Sequence, residues 1–479
     1  MDVINNAEIV SRGECVSDFI IGEFGDRRLL KTGALLFKKM MKKMTICIRQ
    51  LSENRALEVA FGRFLSNKKT TESEIELSIA HKTNENCLHK KHILCIQDTI
   101  EVNYSSQPNK KNEFGTNRNK KEKRDVKGFL AHPGLILDAE NSDVLGLSSV
   151  KVWTRTNDDA EEKNKKQRPI EEKESYKWIE TAEAAKKNIS NAQLVTIVGD
   201  RESDIFELFD RVPDDKTHII TRSMHNRELS TGLRIDEHMK NITAAGTYEI
   251  ELPAITGVRK ARKATIEIKY SQIKILAPAK LSSTVNNKEL SITCVEAREI
   301  SDVPGNDSGV FWRLFTTHSV TNLLEAQQII IWYSWRWNIE QVFRTLKKKG
   351  IKVEDSEIIT PESLLKLFVI AIAAAVTVLC LVKARDGSTE RPASDVFSDD
   401  ESVVLKAVLL KVNGKTKKQK NPYKVDSLSW ASWIIARLGG WNGYTCERPA
   451  GPITMYIGLE VFHNYVQGWL LAKKDVCIR

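Results

Sequence analysis

The sequence predicts an α/β protein with a β-rich insertion and helical regions at both ends. Three observations support this class. Short apolar runs broken by turns, such as "HILCIQD" and "LVTIVGD", fill residues 92–222 and are typical of strands. Further strand-like stretches, "TYEIEL", "ATIEIKYS" and "KELSITCVEA", fill residues 243–300. Apolar residues at helical spacing mark the chain before and after these strands.

The elements divide the 479-residue chain into three predicted regions. A basic helical region covers residues 1–75 and a central α/β region covers 76–385, with the β-rich insertion at about 228–320. A mostly helical C-terminal region covers 386–479. Within the central region, the longest apolar run is predicted to fold back on itself at "DAENSD".

The charge of the chain favours an anionic partner. Its formal net charge is +10 and its pI about 9.0, which suits nucleic acid or a phosphate-rich surface. From Arg27 to Ser52 there are eight bases and no acid, interleaved with leucines at helical spacing. A solvated helix face is the alternative, but a face of one sign is less usual than a mixed one. We therefore predict DNA contacts for the following residues: Arg27, Arg28, Lys38, Lys39, Lys42 and Lys43.

Cysteine usage and the N-terminus suggest an intracellular protein. The eight cysteines are scattered without a CxxC pair, so reduced thiols are expected rather than a zinc site. The first residues, "MDVINNAEIVSRGE", are too polar and acidic for a signal peptide. The apolar segment from Leu367 to Val382 falls short of the ~30 Å hydrocarbon core at about 1.5 Å per residue. It is predicted to be a buried core helix, with a membrane anchor as the alternative.

One long helix is predicted from Thr321 to Lys349. Its helical wheel places four functional side chains on one narrow stripe, about 21 Å long. These are Tyr333, Arg336, Glu340 and Lys347. A stripe of this length matches a strand of repeated phosphates better than a small ligand.

The carboxylate of Glu340 is the unusual member of this stripe. It would repel a phosphate unless a divalent cation stood between them, so it is interpreted as a metal ligand. The alternative is a salt-bridged surface helix, in which Glu340 pairs with Arg336 or Arg344 one turn away.

Two further acids end strand-like runs. Asp98 closes "ILCIQD" and Asp200 closes "LVTIVGD", so each is predicted at the carboxyl end of a buried strand. An acid at a strand end can simply cap the next turn, which stays open as the alternative for each. Spacing does not show that these two acids meet Glu340, because more than a hundred residues separate each from the next.

Several motifs together resemble a known family. "VGDRESDI", "EKESYKW" and the pattern Y-x2-R-x3-E-x6-K from Tyr333 to Lys347 are similar to bacterial insertion-sequence DDE transposases of the IS-four group. "FGDRR" and "AFGRFLSN" extend the resemblance over nearly the whole chain. It implies a ribonuclease-H-like core, a mixed sheet flanked by helices, with a β-rich insertion before the helix that carries the last acid. It also implies a catalytic triad of Asp98, Asp200 and Glu340 that holds two Mg²⁺ or Mn²⁺ ions per active site.

The same resemblance implies roles for residues around the triad. Trp312 would stack on a base flipped out at the element's end, with a core strand residue as the alternative. Phosphate-gripping positions would be Tyr333, Arg336, Lys347, Arg201 and Arg222. Plain salt bridges are the alternative for Arg201 and Arg222.

The sequence therefore predicts a DNA transposase that cuts and pastes its own insertion sequence by metal-dependent phosphoryl transfer. Its expected partners are the inverted ends of the element and target DNA, both double-stranded. We expect it to act as a homodimer in the synaptic complex, through the C-terminal region. The expected location is the cytoplasm, at the nucleoid, without a membrane partner. The alternatives are a catalytically inactive DNA-binding inhibitor and a basic protein anchored in a membrane by Leu367 to Val382.

Overall fold

The computed structural model describes residues 22, 24–104, 116–119, 124–155, 168–252, 261–279, 281, 285–303, 309–347, 350–387, 389–444 and 449–476. It consists of two compact units. The α/β unit holds Ile79–Arg344 and Ile358–Pro361. The helical unit holds Met1–Ser78, Thr345–Glu357 and Glu362–Arg479, so it draws on both ends of the chain. The first 21 residues of the predicted N-terminal region lie outside the described residues.

The described strands and helices have the following bounds. The strands are β1 His92–Gln97, β2 Ile100–Asn103, β3 Thr116–Asn119, β4 Arg124–Asp138, β5 Val144–Trp153, β6 Leu194–Gly199, β7 Thr217–Arg222, β8 Gly246–Leu252, β9 Arg262–Leu276, β10 Glu289–Glu299 and β11 Phe311–Thr316. The helices are α1 Arg27–Lys43, α2 Ile48–Leu51, α3 Arg55–Ser66, α4 Glu72–Asn86, α5 Tyr176–Asn188, α6 Phe206–Arg211, α7 Ile235–Lys240, α8 Leu323–Ser334, α9 Trp337–Leu346, α10 Pro361–Ala384, α11 Asp399–Val412, α12 Leu428–Leu438 and α13 Pro452–Val476.

The α/β unit is built on one large mixed sheet. Its main path runs β2-β4-β1-β6-β7-β11-β10-β9-β8, and β3 and β5 both pair with β4. The central strands β1, β6 and β7 are parallel neighbours, and the other pairings are antiparallel. Parallel strands are covered on both faces, which explains why β1 and β6 read as nearly continuous apolar runs.

The pairing of β1 with β6 determines where the strand ends meet. His92 pairs with Leu194 and Ile96 pairs with Val198, with a constant offset along the strands. Continuing this register two residues beyond the pair Ile96 and Val198 sets Asp98 opposite Asp200. The predicted strand ends are thus confirmed, and two of the predicted acids lie side by side at the carboxyl edge of the sheet.

Helices and hairpins complete the α/β core. The turn predicted at "DAENSD" is confirmed, because β4 and β5 form an antiparallel hairpin across it. Helix α5 packs against β1, β4, β5 and β6, and its Trp178 is almost fully buried in the core with Phe206 and Phe315.

The strands predicted between residues 243 and 300 are confirmed as β8, β9 and β10. They do not form a sheet of their own. β10 pairs with β11, and β11 pairs with β7, so the predicted β-rich insertion extends the central sheet.

The single long helix predicted from Thr321 is wrong, because the structure has two helices, α8 and α9, with a break at residues 335–336. At the break the backbone N–H of Arg336 donates to the carbonyl three residues back, at 3.1 Å. The hydroxyl of Ser334 also donates to a carbonyl three residues back, at 2.6 Å. Hydrogen bonds of these two kinds compete with the regular α-helical bonds between residues four apart. The four residues of the predicted stripe therefore do not share one continuous helix.

In the helical unit, the apolar segment from Leu367 to Val382 lies within α10 and is largely buried. Among the described helices, α10 is also the one long and apolar enough to cross a membrane, but most of that stretch is buried. Its Lys366 is buried too, and the ammonium donates to the carbonyls of Leu65 and Asn67 at 3.1 and 3.2 Å. These features are those of a core helix.

Replacing a buried leucine of α10 tests this placement. Leu367→Ala should lower the free energy of unfolding by about 2–5 kcal/mol, because the side chain is fully buried and its loss leaves a cavity. Leu410→Ala, on α11, is the matched control, since Leu410 is 82% exposed and the change should be under about 0.5 kcal/mol. Urea unfolding of the full chain measures both. Equal losses in the two variants would contradict a buried α10.

Three histidines lie together at the amino end of the parallel strands. The hydroxyl of Thr196 lies 2.7 Å from Nε2 of His92 and 2.8 Å from Nε2 of His318. The rings of His218 and His318 stack with centroids 4.0 Å apart, and Trp332 stands edge-on against His92. Burial lowers the pKa of His92 to about 4 and that of His318 to about 3, and burial also lowers the pKa of His218.

This cluster predicts a loss of stability in mild acid. A histidine that stays neutral when folded binds a proton only when unfolded, so the free energy of unfolding should fall as pH drops from about 6.5 to about 4. Each such histidine contributes up to about 1.4 kcal/mol per pH unit. His318→Gln should flatten this pH dependence, measured by urea unfolding at several pH values. His81→Gln, at an exposed histidine of α4, is the control. An unchanged slope in His318→Gln would refute the assignment.

Candidate active site

The two strand-end acids have different surroundings. Asp98 follows β1 and accepts a hydrogen bond from the N–H of Thr99 at 2.8 Å. The pKa of Asp98 is raised to about 6, first by burial and then by the neighbouring carboxylates of Asp200 and Glu340. The guanidinium of Arg336 and the N–H of Thr99 act in the opposite direction and lower this pKa. The three predicted acids are therefore close enough to influence one another.

Asp200 is held in place by its own turn. Its Oδ1 accepts the N–H of Glu202 at 2.9 Å and caps a short 3-10 helix, so the capping role weighed as an alternative is present. The backbone carbonyl of Asp200 accepts the hydroxyls of Ser203 and Thr221 at 2.6 and 2.9 Å. The preceding residue, Gly199, has no room for a side chain, because an added Cβ would collide with Ser203. These contacts fix the Asp200 backbone against the end of β7.

A buried acid that sequence reasoning missed fixes the segment after β7. Asp204 accepts the N–H groups of Met224 and His225 at 2.8 and 3.2 Å, and the guanidinium of Arg227 at 2.7 Å. Its side chain is fully buried. Asp204 thereby holds the chain that follows Arg222. The sequence signal for Asp204 is its place as the second aspartate of "VGDRESDI".

Glu340 enters the site from the first turn of α9 and is joined to Asp98 by one side chain. Arg336 donates to Asp98 Oδ2 at 2.8 Å and to Glu340 Oε1 at 3.2 Å. Burial works against the charge on Arg336, but the carboxylates outweigh it and raise its pKa. The pairing of Arg336 with Glu340, weighed as a surface salt bridge, is therefore present. It belongs to a largely buried bridge that also includes the end of β1.

Aromatic and basic residues surround these acids. Trp312, on β11, is partly exposed and packs edge-on against the ring of Tyr333, with centroids 5.3 Å apart. Tyr333 is buried, which raises the pKa of its phenol. Arg222 lies beside this phenol and donates to the carbonyl of Phe311 at 2.9 Å, and burial lowers its pKa. The structure thus brings Trp312, Tyr333, Arg222 and Arg336 together, and the exposed Arg201 lies near Arg222.

The remaining residues predicted to contact DNA belong to the helical unit. Lys347 follows α9 and pairs with Glu354 at 3.7 Å. Of the four lysines of α1 predicted to contact DNA, three make contacts within the unit: Lys38 pairs with Glu401 at 3.0 Å, Lys39 pairs with Glu53, and Lys43 donates to the carbonyl of Gln50 at 2.6 Å. Burial lowers the pKa of Lys42. Arg27 and Arg28, at the start of α1, are exposed, and Arg28 also pairs with Asp26. DNA contact by these residues stays a prediction.

The three acids suit divalent cations in their chemistry. Carboxylate oxygens are the ligands that Mg²⁺ and Mn²⁺ prefer. As the side chains lie, no group of three or more His, Cys, Asp or Glu residues in the described part of the chain could hold a metal ion. At two of the acids a guanidinium takes the place that a cation would have, since Arg336 donates to both Asp98 and Glu340. The residues fit a cation by type and by backbone position, provided that Arg336 moves aside.

The fold and the site define an α/β protein with an acidic centre at the carboxyl edge of its sheet. Sequence comparison gives the family: residues 98–377 match the Transposase DDE domain, and the chain belongs to this family. The match begins at Asp98 and covers more than half of the chain. The protein is thus a DNA transposase of the DDE class, in which divalent metal ions generally serve catalysis.

Among solved structures, the chain shows similarity to a cryo-EM structure of a piggyBac transposase synaptic complex with hairpin DNA. The TM-score is 0.36 and the sequence identity 8%, over 92% of this chain and 73% of that one. A similarity at this level carries no weight for fold or function.

Proposed function

We propose that this transposase cuts and pastes its own insertion sequence, with Asp98, Asp200 and Glu340 as the catalytic triad. The observation that carries the proposal is the register of β1 and β6, which sets Asp98 beside Asp200. The bridge through Arg336 adds Glu340 to the same site. Within the DDE class, the sequence motifs favour the IS-four group, of which the transposon Tn-five enzyme is a member. The central parallel strands flanked by an antiparallel hairpin are compatible with the ribonuclease-H-like core expected for that group.

The triad would hold two Mg²⁺ or Mn²⁺ ions. When bound, such ions supply activation of the attacking oxygen and stabilisation of the leaving oxygen in phosphoryl transfer. The chain's own residues orient the substrate. Arg201, Arg222 and Arg336 present guanidinium groups to backbone phosphates, which they can bind through two parallel hydrogen bonds.

Trp312 and Tyr333 form the aromatic wall of the proposed site. Trp312 is exposed enough to offer a stacking face, and its edge-on contact with the buried Tyr333 fixes the orientation of the indole. Stacking on such a ring offsets part of the free energy lost when a base leaves the duplex. We assign Trp312 to a flipped base and Tyr333 and Lys347 to the adjacent phosphates.

The remaining parts of the proposal concern assembly. Double-stranded DNA, both the inverted ends of the element and the target, is the substrate, and two copies of the chain pair the ends as a homodimer. Residues 1–75 bind DNA, residues 76–385 carry catalysis, and residues 386–479 serve dimerisation. The enzyme acts in the cytoplasm at the nucleoid, where its substrate lies. A catalytically inactive inhibitor is not favoured, since the chain retains all three acids.

A cleavage assay tests the triad. Asp98→Asn, Asp200→Asn and Glu340→Gln should each slow single-turnover cleavage by at least about 100-fold, because each removes a charged ligand at the reacting phosphate. The substrate is a duplex that carries the element's terminal inverted repeat, with Mg²⁺ present. Asp302→Asn and Glu251→Gln, at exposed acids, are matched controls that should cut normally. The triad assignment fails if any of the three variants cuts as fast as the parent.

The salt dependence of DNA binding tests the basic helix α1. Arg27→Gln with Arg28→Gln should reduce the slope of log K against log salt by about 1.8, since each lost phosphate contact contributes about 0.9. Lys187→Gln with Lys240→Gln removes the same charge from exposed lysines of α5 and α7 and serves as the control. Fluorescence anisotropy with labelled duplex at several salt concentrations measures the slopes. If the arginine pair leaves the slope of the parent unchanged, the start of α1 does not contact DNA.

A further inference from the structure

Arg336 occupies a particular position among the predicted metal ligands. One of its terminal nitrogens donates to Asp98 at 2.8 Å and the other to Glu340 at 3.2 Å. The side chain is largely buried, with 18% of its surface exposed. Its backbone stands at the break between α8 and α9, where the N–H bonds to a carbonyl three residues back. The guanidinium is therefore an internal cation placed between two acids that come from distant parts of the chain.

A divalent cation and this guanidinium cannot serve both carboxylates at once. Mg²⁺ binds oxygen ligands at about 2.0–2.1 Å, so a shared ion draws its carboxylate oxygens to within about 4 Å of each other. A planar guanidinium hydrogen-bonded to both oxygens fills that space. Two positive groups at this separation also repel each other strongly in a buried site. Cation binding by Asp98 and Glu340 therefore requires Arg336 to leave.

The surroundings of Arg336 indicate what would draw it away. Arg222 lies near enough to both Arg201 and Arg336 for their positive charges to repel, and Tyr333 stands beside Arg222. Guanidinium groups close enough to repel one another favour a phosphate, which accepts two parallel hydrogen bonds from an arginine. A DNA phosphate at this site offers Arg336 a replacement for the carboxylates that it would release.

We propose that Arg336 is a latch that couples cation binding to DNA binding at the proposed active site. In the absence of DNA, it holds Asp98 and Glu340 and keeps their affinity for divalent cations low. A backbone phosphate takes over its guanidinium, and the freed carboxylates then bind the ions. By linkage, the ions raise the affinity for DNA by the same factor. With this latch, the catalytic centre binds its ions only when DNA is bound. The inference rests on the proposed triad.

Titration of the full-length protein with Mn²⁺ alone tests the latch, with free Mn²⁺ counted by electron paramagnetic resonance. Without DNA, Arg336→Ala should bind Mn²⁺ about tenfold or more tightly than the parent, a coupling of ordinary size for linked sites. A merely structural role for Arg336 would weaken binding instead. Arg344→Ala is the matched control, because Arg344 lies one turn beyond Glu340 and rests over the ring of Trp337. It should change the affinity less than about twofold.

Further variants keep the test decisive. Arg336→Gln preserves more of the side-chain volume and should gain affinity in the same direction, should Arg336→Ala fail to fold. Adding Asp98→Asn to Arg336→Ala should abolish the gain, which assigns it to this site. A random-sequence DNA duplex, with the duplex-only blank subtracted, should raise the Mn²⁺ affinity of the parent more than that of Arg336→Ala.

The latch is refuted if Arg336→Ala binds Mn²⁺ no more tightly than the parent, or if Arg344→Ala gains as much. Neither result depends on DNA cleavage. Failure of the proposed triad would instead appear as normal cleavage by the Asp98, Asp200 or Glu340 variants. The two failures are therefore distinguishable.

Discussion

The parallel pairing of β1 with β6 is the constraint on which the site depends. A parallel pair is buried on both faces, so both strands are largely apolar and their first acidic residues fall at the ends. Because the register is constant, those ends place Asp98 and Asp200 side by side. A slip of one residue would separate the two acids and turn every side chain of the strand to the opposite face of the sheet. The buried core around Trp178 thus fixes the positions of Asp98 and Asp200 at the carboxyl edge of the sheet.

Bringing carboxylates together in a partly buried place has a cost that the structure offsets locally. The raised pKa of Asp98 reflects burial first and the neighbouring acids second. Arg336 offsets part of this cost with hydrogen bonds to both Asp98 and Glu340, while Asp200 is held by the N–H of Glu202. The guanidinium of Arg336 therefore balances the charge of these two carboxylates here, as a divalent cation would in the proposed catalytic complex. This duality explains why the sequence pattern could be interpreted both as a salt bridge and as a metal site.

The sequence predicted the features that are local or repeat along the chain. The apolar runs before Asp98 and Asp200 and the hairpin at "DAENSD" follow from side-chain patterning, and the structure confirms them. The break before α9 was not predicted, because it depends on the bonding of Ser334 and on packing that periodicity does not show. The same holds for the histidine cluster and for Asp204, whose partners come from separate strands and loops. The three-acid grouping came from family resemblance rather than from spacing, since convergence over a hundred residues is a property of the fold.

The central claim is that Asp98, Asp200 and Glu340 share divalent cations at the phosphate to be cut. Anomalous scattering from Mn²⁺, in crystals of the full chain bound to a duplex of its element's end, measures this directly. The account predicts anomalous peaks within about 2.0–2.6 Å of oxygens from all three side chains, with Arg336 turned onto a DNA phosphate. Peaks that leave any one of the three acids without a bound ion, in a complex that cleaves its DNA, would contradict it.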